Sequence, residues 1–495
     1  MSNHSTMTPR RLLVASFSAV ALVGGLIAAP SLATAAPFSS ADTASKIAPE
    51  VAASLAGDAS APFWIRFAAR TDLSAAKQID DFDARGRAVY DQLNATADAS
   101  QGSIKALLDE QGAAYEAFFI TNAIYVPSGS LALATEVARS PEVAQILGPP
   151  NYVLEEPVSR DAGTDSAAPT ATNSASAVEW GLTNIRAPQV WATGNEGQGI
   201  VVANIDTGVQ YNHPALVAQY RGNKGGGSFN HNYNWFRASG SSQFPVDGNG
   251  HGTHTMGTMV GDDGGSNQIG VAPRAKWITA NGCCPSDAAL IASGQWMLAP
   301  KKLDGSRPRP KKRPHIVNNS WGSSSPSDAP FMEDVILAWE ASGIFGQWSN
   351  GNSGPSCHTS GSPGSRLVTY SAGAYDISNN IASFSARGPG QSSGIKPNIA
   401  APGVNVRSSV PTNGYANFSG TSMSSPHVAG AIALLWSGVP SLARDIDATR
   451  ALLDDTAINV SALTCGGTVD DNNVFGEGRL DAKALVDAGL ALDRE

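Results

Sequence analysis

Three segments of the sequence carry side chains suited to catalysis, and the first holds Asp206. The mostly apolar run 201–205 predicts a buried strand, and Asp206-Thr207-Gly208 places a carboxylate in the tight turn that follows it. Asp-Thr-Gly also occurs in aspartic proteases, which need two such carboxylates sharing one proton. No second Asp-Thr-Gly or Asp-Ser-Gly occurs in the sequence, which argues against an aspartic mechanism.

The second segment, Asp247-Gly248-Asn249-Gly250-His251-Gly252-Thr253-His254, holds two histidines three residues apart. Such a pair on a helix could bind a metal, but the His-Glu-x-x-His pattern of metalloproteases is absent. The flanking glycines instead indicate that the backbone at His251 approaches another chain segment closely. Taken alone, the pair is compatible with either a structural or a catalytic role.

The third segment, residues 418–430, leads into an apolar helix that is expected to end near Trp436. Ser422 would lie at the N-terminus of this helix, where free N–H groups and the helix dipole favour developing negative charge. The surrounding small residues would let a substrate backbone approach. Ser424 stands where the Gly-x-Ser-x-Gly elbow of α/β-hydrolases requires glycine, and a serine-rich helix cap is the alternative interpretation.

Taken together, Asp, His and Ser in this chain order, with these flanking residues, resemble the subtilisin-like serine peptidases (subtilases) over about residues 179–495. The order is the one known for subtilisin itself. The resemblance implies a catalytic triad in which Ser422 is the nucleophile and His251 the general base. Asp206 would orient the imidazole and stabilise its cationic form.

The resemblance also implies an oxyanion hole. The backbone N–H of Ser422 would be one donor, and the side-chain amide of Asn352, within Gly351-Asn352-Ser353-Gly354, would be the second. Asn350 and Asn318 are competing candidates nearby in the sequence.

Substrate contacts are implied only in part. Ser320-Trp321-Gly322 matches the strand that pairs with extended substrate, and Gly282 would end the opposite contact strand. Cys283-Cys284 follows directly and departs from the family pattern. Trp348 could line the specificity pocket or belong to the core. The family keeps the positions of His254 and His427 as packing and hydrogen-bonding residues, so both are expected to be structural.

The elements that must position these side chains follow from short apolar runs that alternate with helical patterns. Such alternation is typical of a buried parallel sheet, whose functional residues lie at the carboxyl ends of its strands. We therefore predict an α/β, subtilisin-like three-layer fold with a mostly parallel central sheet. Strands are predicted at 199–205, 275–280, 315–317 and 343–345, with helices at 287–298 and 331–341.

Residues 37–157 resemble the inhibitory propeptide of subtilases, through motifs much less specific than those of the 179–495 catalytic domain. The pattern predicts a small α+β (ferredoxin-like) unit. Its expected elements are strands at 63–67, 123–127 and 146–154 and helices at 104–118 and 131–139. Residues 158–178 are rich in Ala, Ser, Thr, Asp and Gly, which predicts a linker or processing region.

Residues 1–36 have the pattern of a secretory signal peptide. Arg10 and Arg11 precede an apolar run, and Ala33-Thr34-Ala35 supplies a small-residue cleavage pattern. A membrane anchor is the alternative, and the two arginines leave both the general and the twin-arginine export routes open. We expect a secreted, extracellular, monomeric product without a stable membrane anchor.

Composition narrows the function classes. Charged residues make up 15% of 495 residues and the net charge is −9, which argues against a general nucleic-acid binder. The basic stretch 301–313 is interpreted as a solvated loop, with an anionic docking surface as the alternative. No cofactor is expected for the chemistry. A structural Ca²⁺ at Asp470-Asp471-Asn472-Asn473 is one interpretation and a polar turn is the simpler one.

The four cysteines are Cys283, Cys284, Cys357 and Cys465. An oxidising destination makes disulfides plausible. Cys357 and Cys465 both lie in predicted loops and could bridge, which would leave the adjacent pair Cys283–Cys284. A bond between Cys284 and Cys357 would contradict both pairings.

The sequence therefore predicts a serine endopeptidase that acts on polypeptides, with its own propeptide as an intramolecular inhibitor. A catalytically silent binding module of the same fold is the alternative from another class. Neither motif spacing nor composition separates a degradative enzyme from a processing enzyme with narrow targets.

Overall fold

The computed structural model describes residues 45–57, 59–158 and 178–494. The predicted signal peptide and nearly all of the predicted linker lie outside these residues. Within them, no helix combines the length and the apolar character needed to cross a membrane.

The front part, up to residue 147, is built on a four-stranded antiparallel sheet with the order β2-β3-β1-β4. With a long helix after β1 and a short one after β3, it has the βαββαβ order of the expected ferredoxin-like unit. The elements are α1 (Pro49–Ser54), β1 (Ala61–Phe67), α2 (Ser74–Lys77), α3 (Phe82–Glu110), β2 (Glu116–Phe118), β3 (Ala123–Gly129), α4 (Leu131–Ala138) and β4 (Val143–Leu147).

Two predictions for this part are wrong. The helix expected at 104–118 is α3, which starts at Phe82 and ends at Glu110. Residues 116–118 instead form β2, because Gly112, with φ of 63°, turns the chain after the helix. The single strand expected at 146–154 is two strands. β4 closes the small sheet, whereas β5 (Tyr152–Leu154) pairs with a strand of the following region.

The following region is centred on a seven-stranded sheet with the order β15-β14-β13-β11-β6-β10-β9, and its pairs are parallel. These strands are β6 (Val201–Ile205), β9 (Trp235–Phe236), β10 (Lys276–Ala280), β11 (Ile316–Asn319), β13 (Phe345–Ser349), β14 (Tyr370–Tyr375) and β15 (Ile399–Pro402). The predicted strands are confirmed with small shifts at their ends, except that β13 begins where its prediction ended.

Helices cover both faces of this sheet, which confirms the three-layer α/β fold. Side chains alternate along β6: Val202 packs into one core with α7 and α10, while Ala203 packs into the other with α8 and α9. The helices are α5 (Trp180–Asn184), α6 (Ala187–Trp191), α7 (His251–Val260), α8 (Asp287–Leu298), α9 (Glu333–Ala341), α10 (Thr421–Gly438), α11 (Ile446–Asp455) and α12 (Ala482–Leu492).

Smaller elements complete this region. The strand β12 (Trp321–Ser323) pairs with β5, and the other pairs are β7 (Asn223–Gly225) with β8 (Ser228–Phe229) and β16 (Val406–Val410) with β17 (Gly414–Phe418). Short 3₁₀ helices lie at Pro310–Lys312, Gln391–Ser393, Pro440–Leu442 and Leu463–Cys465. The second core continues into the front part, since Val89 and Leu93 of α3 belong to it.

Candidate active site

The first two candidate residues meet where β6 ends and α7 begins. His251 Nδ1 lies 2.8 Å from Asp206 Oδ1, and both side chains are fully buried. The backbone N–H of Thr207 and the hydroxyl of Thr255 donate further hydrogen bonds to the same carboxylate. These contacts fix the carboxylate so that it accepts from Nδ1, which leaves Nε2 as the imidazole atom that can accept a proton.

The glycines on either side of His251 permit this contact. A Cβ added to Gly252 would lie 2.1 Å from the carbonyl oxygen of Gly208 and 3.0 Å from Asp206 Cβ. Gly250 has a φ of 104°, in the left-handed region that favours glycine. The sequence argument for a close backbone approach is therefore met by the packing of α7 on the end of β6.

The pKa of His251 is shifted in the opposite direction from the pKa values of two other buried histidines, His254 and His427. Burial opposes the imidazolium of His251, but the charge and hydrogen bond of Asp206, with smaller contributions from Asp247 and Glu156, raise its pKa above the usual value. Burial lowers the pKa of His254 to about 3 and that of His427 to about 4. These two histidines stay neutral and hydrogen-bond to backbone carbonyls, which agrees with the structural role expected for them.

Ser422 is the second residue of α10, which packs against α7. Its Oγ donates to the carbonyl oxygen of Ser320 at 3.3 Å, and Ser320 Oγ donates to the carbonyl oxygen of Ser422 at 2.9 Å. His251 Nε2 has no hydrogen-bond partner among the described residues. The Ser–His hydrogen bond is thus not formed here, and such bonds often tighten only with substrate in place.

Asn352 lies beside the start of α10. Its Oδ1 accepts from the N–H and the hydroxyl of Thr421, each at 2.9 Å. Its Nδ2 is buried without a partner in the described chain and would lie 3.3 Å from a Cβ added to Gly420. A buried donor without a partner, next to the N-terminus of the Ser422 helix, is suited to binding an oxyanion.

The two competing asparagines are occupied elsewhere. Asn350 Nδ2 donates to Ser360 Oγ at 3.0 Å and to the carbonyl oxygen of Ala386 at 2.8 Å. Asn318 donates to Ser320 Oγ and accepts from Ser425 Oγ. Their amide groups have the partners of structural residues.

The strand proposed to bind substrate is occupied by the chain itself. β12 pairs antiparallel with β5, with Trp321 opposite Leu154 and Gly322 opposite Val153. An edge strand that accepts an extended segment in this way is the geometry of peptide binding by β-strand addition. The strand begins directly after Ser320, whose backbone and side chain contact Ser422.

Comparison with known proteins agrees with this geometry. The sequence pattern of the subtilase family matches residues 197–481. The chain belongs to the subtilase family of serine endopeptidases. It is 38% identical over 434 residues to bacillopeptidase F of Bacillus subtilis, which covers 84% of this chain but 29% of that relative. It is 33% identical over 312 residues to subtilisin BL of Lederbergia lenta, which covers 63% of this chain and all of that relative.

The subtilase resemblance offered Gly282 as a further substrate contact, and Trp348 as either a specificity-pocket residue or a core residue. A Cβ added to Gly282 would meet Ser293 Oγ at 2.1 Å, and among the described strands β5 pairs with β12 alone; the contact of Gly282 with substrate stays a prediction. Trp348 is fully buried and stacks against Trp339, so it belongs to the core of this subtilase.

Both cysteine pairs form in the structure. Cys357 is bonded to Cys465 and Cys283 to Cys284, which confirms the two predicted pairings; the alternative bond between Cys284 and Cys357 is not formed. The adjacent pair lies close to the active site, since the N–H of Cys283 donates to the carbonyl oxygen of Asp206.

The turn at 470–473 gives no support for calcium. Asp470 Oδ1 accepts from Asn459, Asn472 Oδ1 from the N–H groups of Val474 and Phe475, and Asn473 Oδ1 from that of Lys396. No group of three or more His, Cys, Asp or Glu side chains in the described residues could hold a metal ion.

Several residues that tie the front unit to the subtilase domain were missed. Gln295 Oε1 accepts from the N–H of Phe119 at 2.9 Å and from that of Ile120 at 3.3 Å. Arg313, expected in a solvated loop, is buried and donates to the carbonyl oxygen of Phe82 at 2.6 Å. A lone glutamine and one arginine in a basic run carry no sequence pattern that could have identified them.

Proposed function

We propose that this chain is a secreted serine endopeptidase made as an inactive precursor, in which Asp206, His251 and Ser422 form the catalytic triad. Residues 37–157 would inhibit the enzyme until it cleaves itself. The observation that carries the proposal is the pairing of β5 with β12 directly beside Ser422 and the His251–Asp206 pair. The signal-peptide pattern of residues 1–36 supports secretion.

The proposed reaction begins with Ser422 Oγ, which attacks the carbonyl carbon of a peptide bond. His251 Nε2 takes the hydroxyl proton and later delivers it to the leaving nitrogen. Asp206 holds Nδ1 protonated and stabilises the imidazolium, a role supported by its 2.8 Å contact. A water molecule then hydrolyses the acyl ester with the same base.

The oxyanion of each tetrahedral intermediate would be bound by the N–H of Ser422 and by Asn352 Nδ2. Because Asn352 Oδ1 is held by Thr421, the amide cannot rotate freely and its donor is fixed before substrate arrives. Donors that need no reorganisation contribute most to stabilising the transition state.

Inhibition by residues 37–157 is supported by contacts on two sides. β5 occupies the edge of β12, which an external substrate would need. Away from the cleft, Arg85 donates to the carbonyl oxygens of Glu340 and Ala341, and Arg66 pairs with Asp334 at 2.9 Å. These contacts, with those of Gln295 and Arg313, would keep the front unit docked after its cleavage.

Labelling with a serine-directed fluorophosphonate tests the enzyme claim. We expect the matured chain to be labelled and the Ser422→Ala variant not to be labelled. Intact-mass measurement of the same variant, produced in a protease-deficient host, should show an uncleaved precursor. Absence of labelling in the matured chain would favour the silent binding module, and normal maturation of Ser422→Ala would show that another protease does the processing.

Cleavage of a random peptide library would separate a broad from a narrow enzyme. A degradative enzyme should cut most peptides at comparable rates, whereas a processing enzyme should cut a small set defined by residues near the bond.

A further inference from the structure

The chain does not leave the active site where β5 ends. After Leu154, it runs on to Val158, whose N–H donates to the carbonyl oxygen of Ser419 at 2.8 Å. Ser419 lies just before α10, and β12 begins directly after Ser320, which contacts Ser422. Residues 155–157 therefore cross the site between β12 and the start of α10.

The side chain of Glu155 lies in an enclosure beside Ser422. Its Oε2 lies 3.3 Å from Thr421 Oγ1, within hydrogen-bond distance. A Cβ added to Gly322 or to Gly351 would lie 3.4 Å from its Oε1. The two glycines and Thr421, here called the carboxyl pocket, thus leave room for this carboxyl group at contact distance, next to the nucleophile.

Glu156 lies on the opposite side, beside the general base. Its Oε1 accepts from Asn249 Nδ2 at 3.5 Å, and Asn249 Oδ1 accepts from the backbone N–H of His251 at 3.1 Å. The charge of Glu156 also contributes to the raised pKa of His251. The peptide bond between Glu155 and Glu156 therefore joins a residue held beside Ser422 to one held beside His251.

We propose that the enzyme cleaves its own chain at the Glu155–Glu156 bond and that the carboxyl pocket selects glutamate, in its neutral form, before the bond to be cut. This inference rests on the proposed function and adds the cleavage site and the substrate class. Within the part of the chain that the structure describes, no Lys or Arg side chain contacts Glu155 in the carboxyl pocket, so the pocket recognises shape and hydrogen bonding rather than a negative charge.

The step balances as an ordinary hydrolysis. Ser422 Oγ bonds to the carbonyl carbon of Glu155, and its proton passes through His251 to the nitrogen of Glu156 as the C–N bond breaks. One water molecule then releases Glu155 as a new carboxyl terminus and restores Ser422. Glu156 becomes the amino terminus of the mature enzyme.

The ionisation of Glu155 gives a second, independent property. Enclosure in the carboxyl pocket raises the pKa of Glu155 to about 7, opposed by the Thr421 hydrogen bond and the His251 charge. The groups that act on this carboxyl are Thr421 from α10 and His251 from α7, while Gly322 of β12 and Gly351 of the turn after β13 border it. Glutamate should thus bind well below pH 7 and lose affinity above it, whereas glutamine should not.

The test uses purified precursor and matured enzyme. Masses of both fragments of the wild-type precursor, taken early in maturation, should place the cut between Glu155 and Glu156. Glu155→Gln should mature at the wild-type rate, and Glu155→Lys at least about tenfold more slowly because a buried cation would have no partner. Glu110→Gln is the matched control, since it makes the same change at an exposed carboxyl group at the end of α3 and should leave the maturation rate within about threefold.

Peptides with the sequence Tyr-Val-Leu-X-Glu-Pro-Val, in which X is Glu, Gln, Leu or Lys, test the pocket without the precursor. At pH 6, kcat/KM for Glu and Gln should exceed that for Leu and Lys by at least about tenfold. The Gln/Glu ratio should rise between pH 6 and pH 8, a comparison in which the ionisation of His251 cancels.

A cut at another bond, or Leu and Lys peptides cleaved as fast as Glu, would overturn this inference and leave the serine endopeptidase in place. Failure of the matured chain both to react with fluorophosphonate and to cleave any peptide would overturn the proposed function and the inference together.

Discussion

Asn352 performs two separable tasks in the structure, and substitution can distinguish them. Its Nδ2 is the buried donor without a partner, whereas its Oδ1 accepts two hydrogen bonds from Thr421 at the start of α10. Asn352→Ala removes both. Asn352→Asp keeps the acceptor and replaces the donor with a carboxylate oxygen, which would repel the oxyanion.

The two tasks have different expected magnitudes. Loss of one oxyanion donor lowers kcat by about 10²–10³, or about 2.7–4 kcal/mol, a value taken from subtilisin, a relative of this chain. Loss of the acceptor resembles loss of a helix N-cap and should cost about 1 kcal/mol of stability. We therefore expect both Asn352 variants to lose kcat, with KM changed little because the donor acts mainly in the transition state.

The assay is steady-state hydrolysis of a chromogenic peptide by variants matured with tagged wild-type enzyme, which is then removed. Asn350→Ala is the matched control, since it deletes a buried amide two residues away whose donors have structural partners. This control should lose about 1–3 kcal/mol of stability and keep kcat within about threefold. The assignment is refuted if Asn352→Ala keeps kcat within threefold, or if Asn350→Ala slows the reaction as much.

Two further predictions concern ionisation and crosslinking. Histidine NMR of the Ser422→Ala chain should give His251 a pKa above 6.5 and should show His254 neutral down to pH 5. Because the neutral imidazole of His251 is the general base, kcat/KM of the active enzyme should rise as the pH increases through the pKa of His251. A His251 pKa below 6.5 would contradict the Asp206 contribution. Replacing both Cys357 and Cys465, which are 108 residues apart in the sequence, by serine should lower the free energy of unfolding by about 2–5 kcal/mol. A loss under about 1 kcal/mol in denaturant unfolding would contradict this prediction.

Local patterns predicted most of the large sheet because its strands are buried on both faces. The mostly apolar runs of β6 and β10 are visible without knowledge of their neighbours. The start of α3 was missed because its first half, from Phe82, holds few large apolar side chains, among them Val89 and Leu93, between alanines and charged residues. Its buried side chains are defined by packing against the other domain, which a single sequence does not reveal.

The site residues likewise divide into those that local sequence motifs identify and one that depends on contacts between distant parts of the chain. Asp206, His251 and Ser422 lie in motifs whose flanking glycines and serines are themselves informative. Glu155 has no motif, because its role depends on the pairing of β5, outside the small sheet, with β12. The register of that pairing, set by side chains far apart in the sequence, decides which residue reaches the carboxyl pocket.

The partner-free polar atoms of the site connect its stability to its proposed function. His251 Nε2 and Asn352 Nδ2 are both buried without partners in the described chain, although a buried unpaired polar atom typically costs about 1–3 kcal/mol. In the proposed reaction these atoms receive partners only as a proton leaves Ser422 and an oxyanion forms. The two atoms would thus be unpaired in the resting enzyme and paired in the transition state, so the enzyme would bind the transition state more tightly than the substrate. Such a difference in binding speeds up the reaction, whereas equal binding of both would only tighten substrate binding.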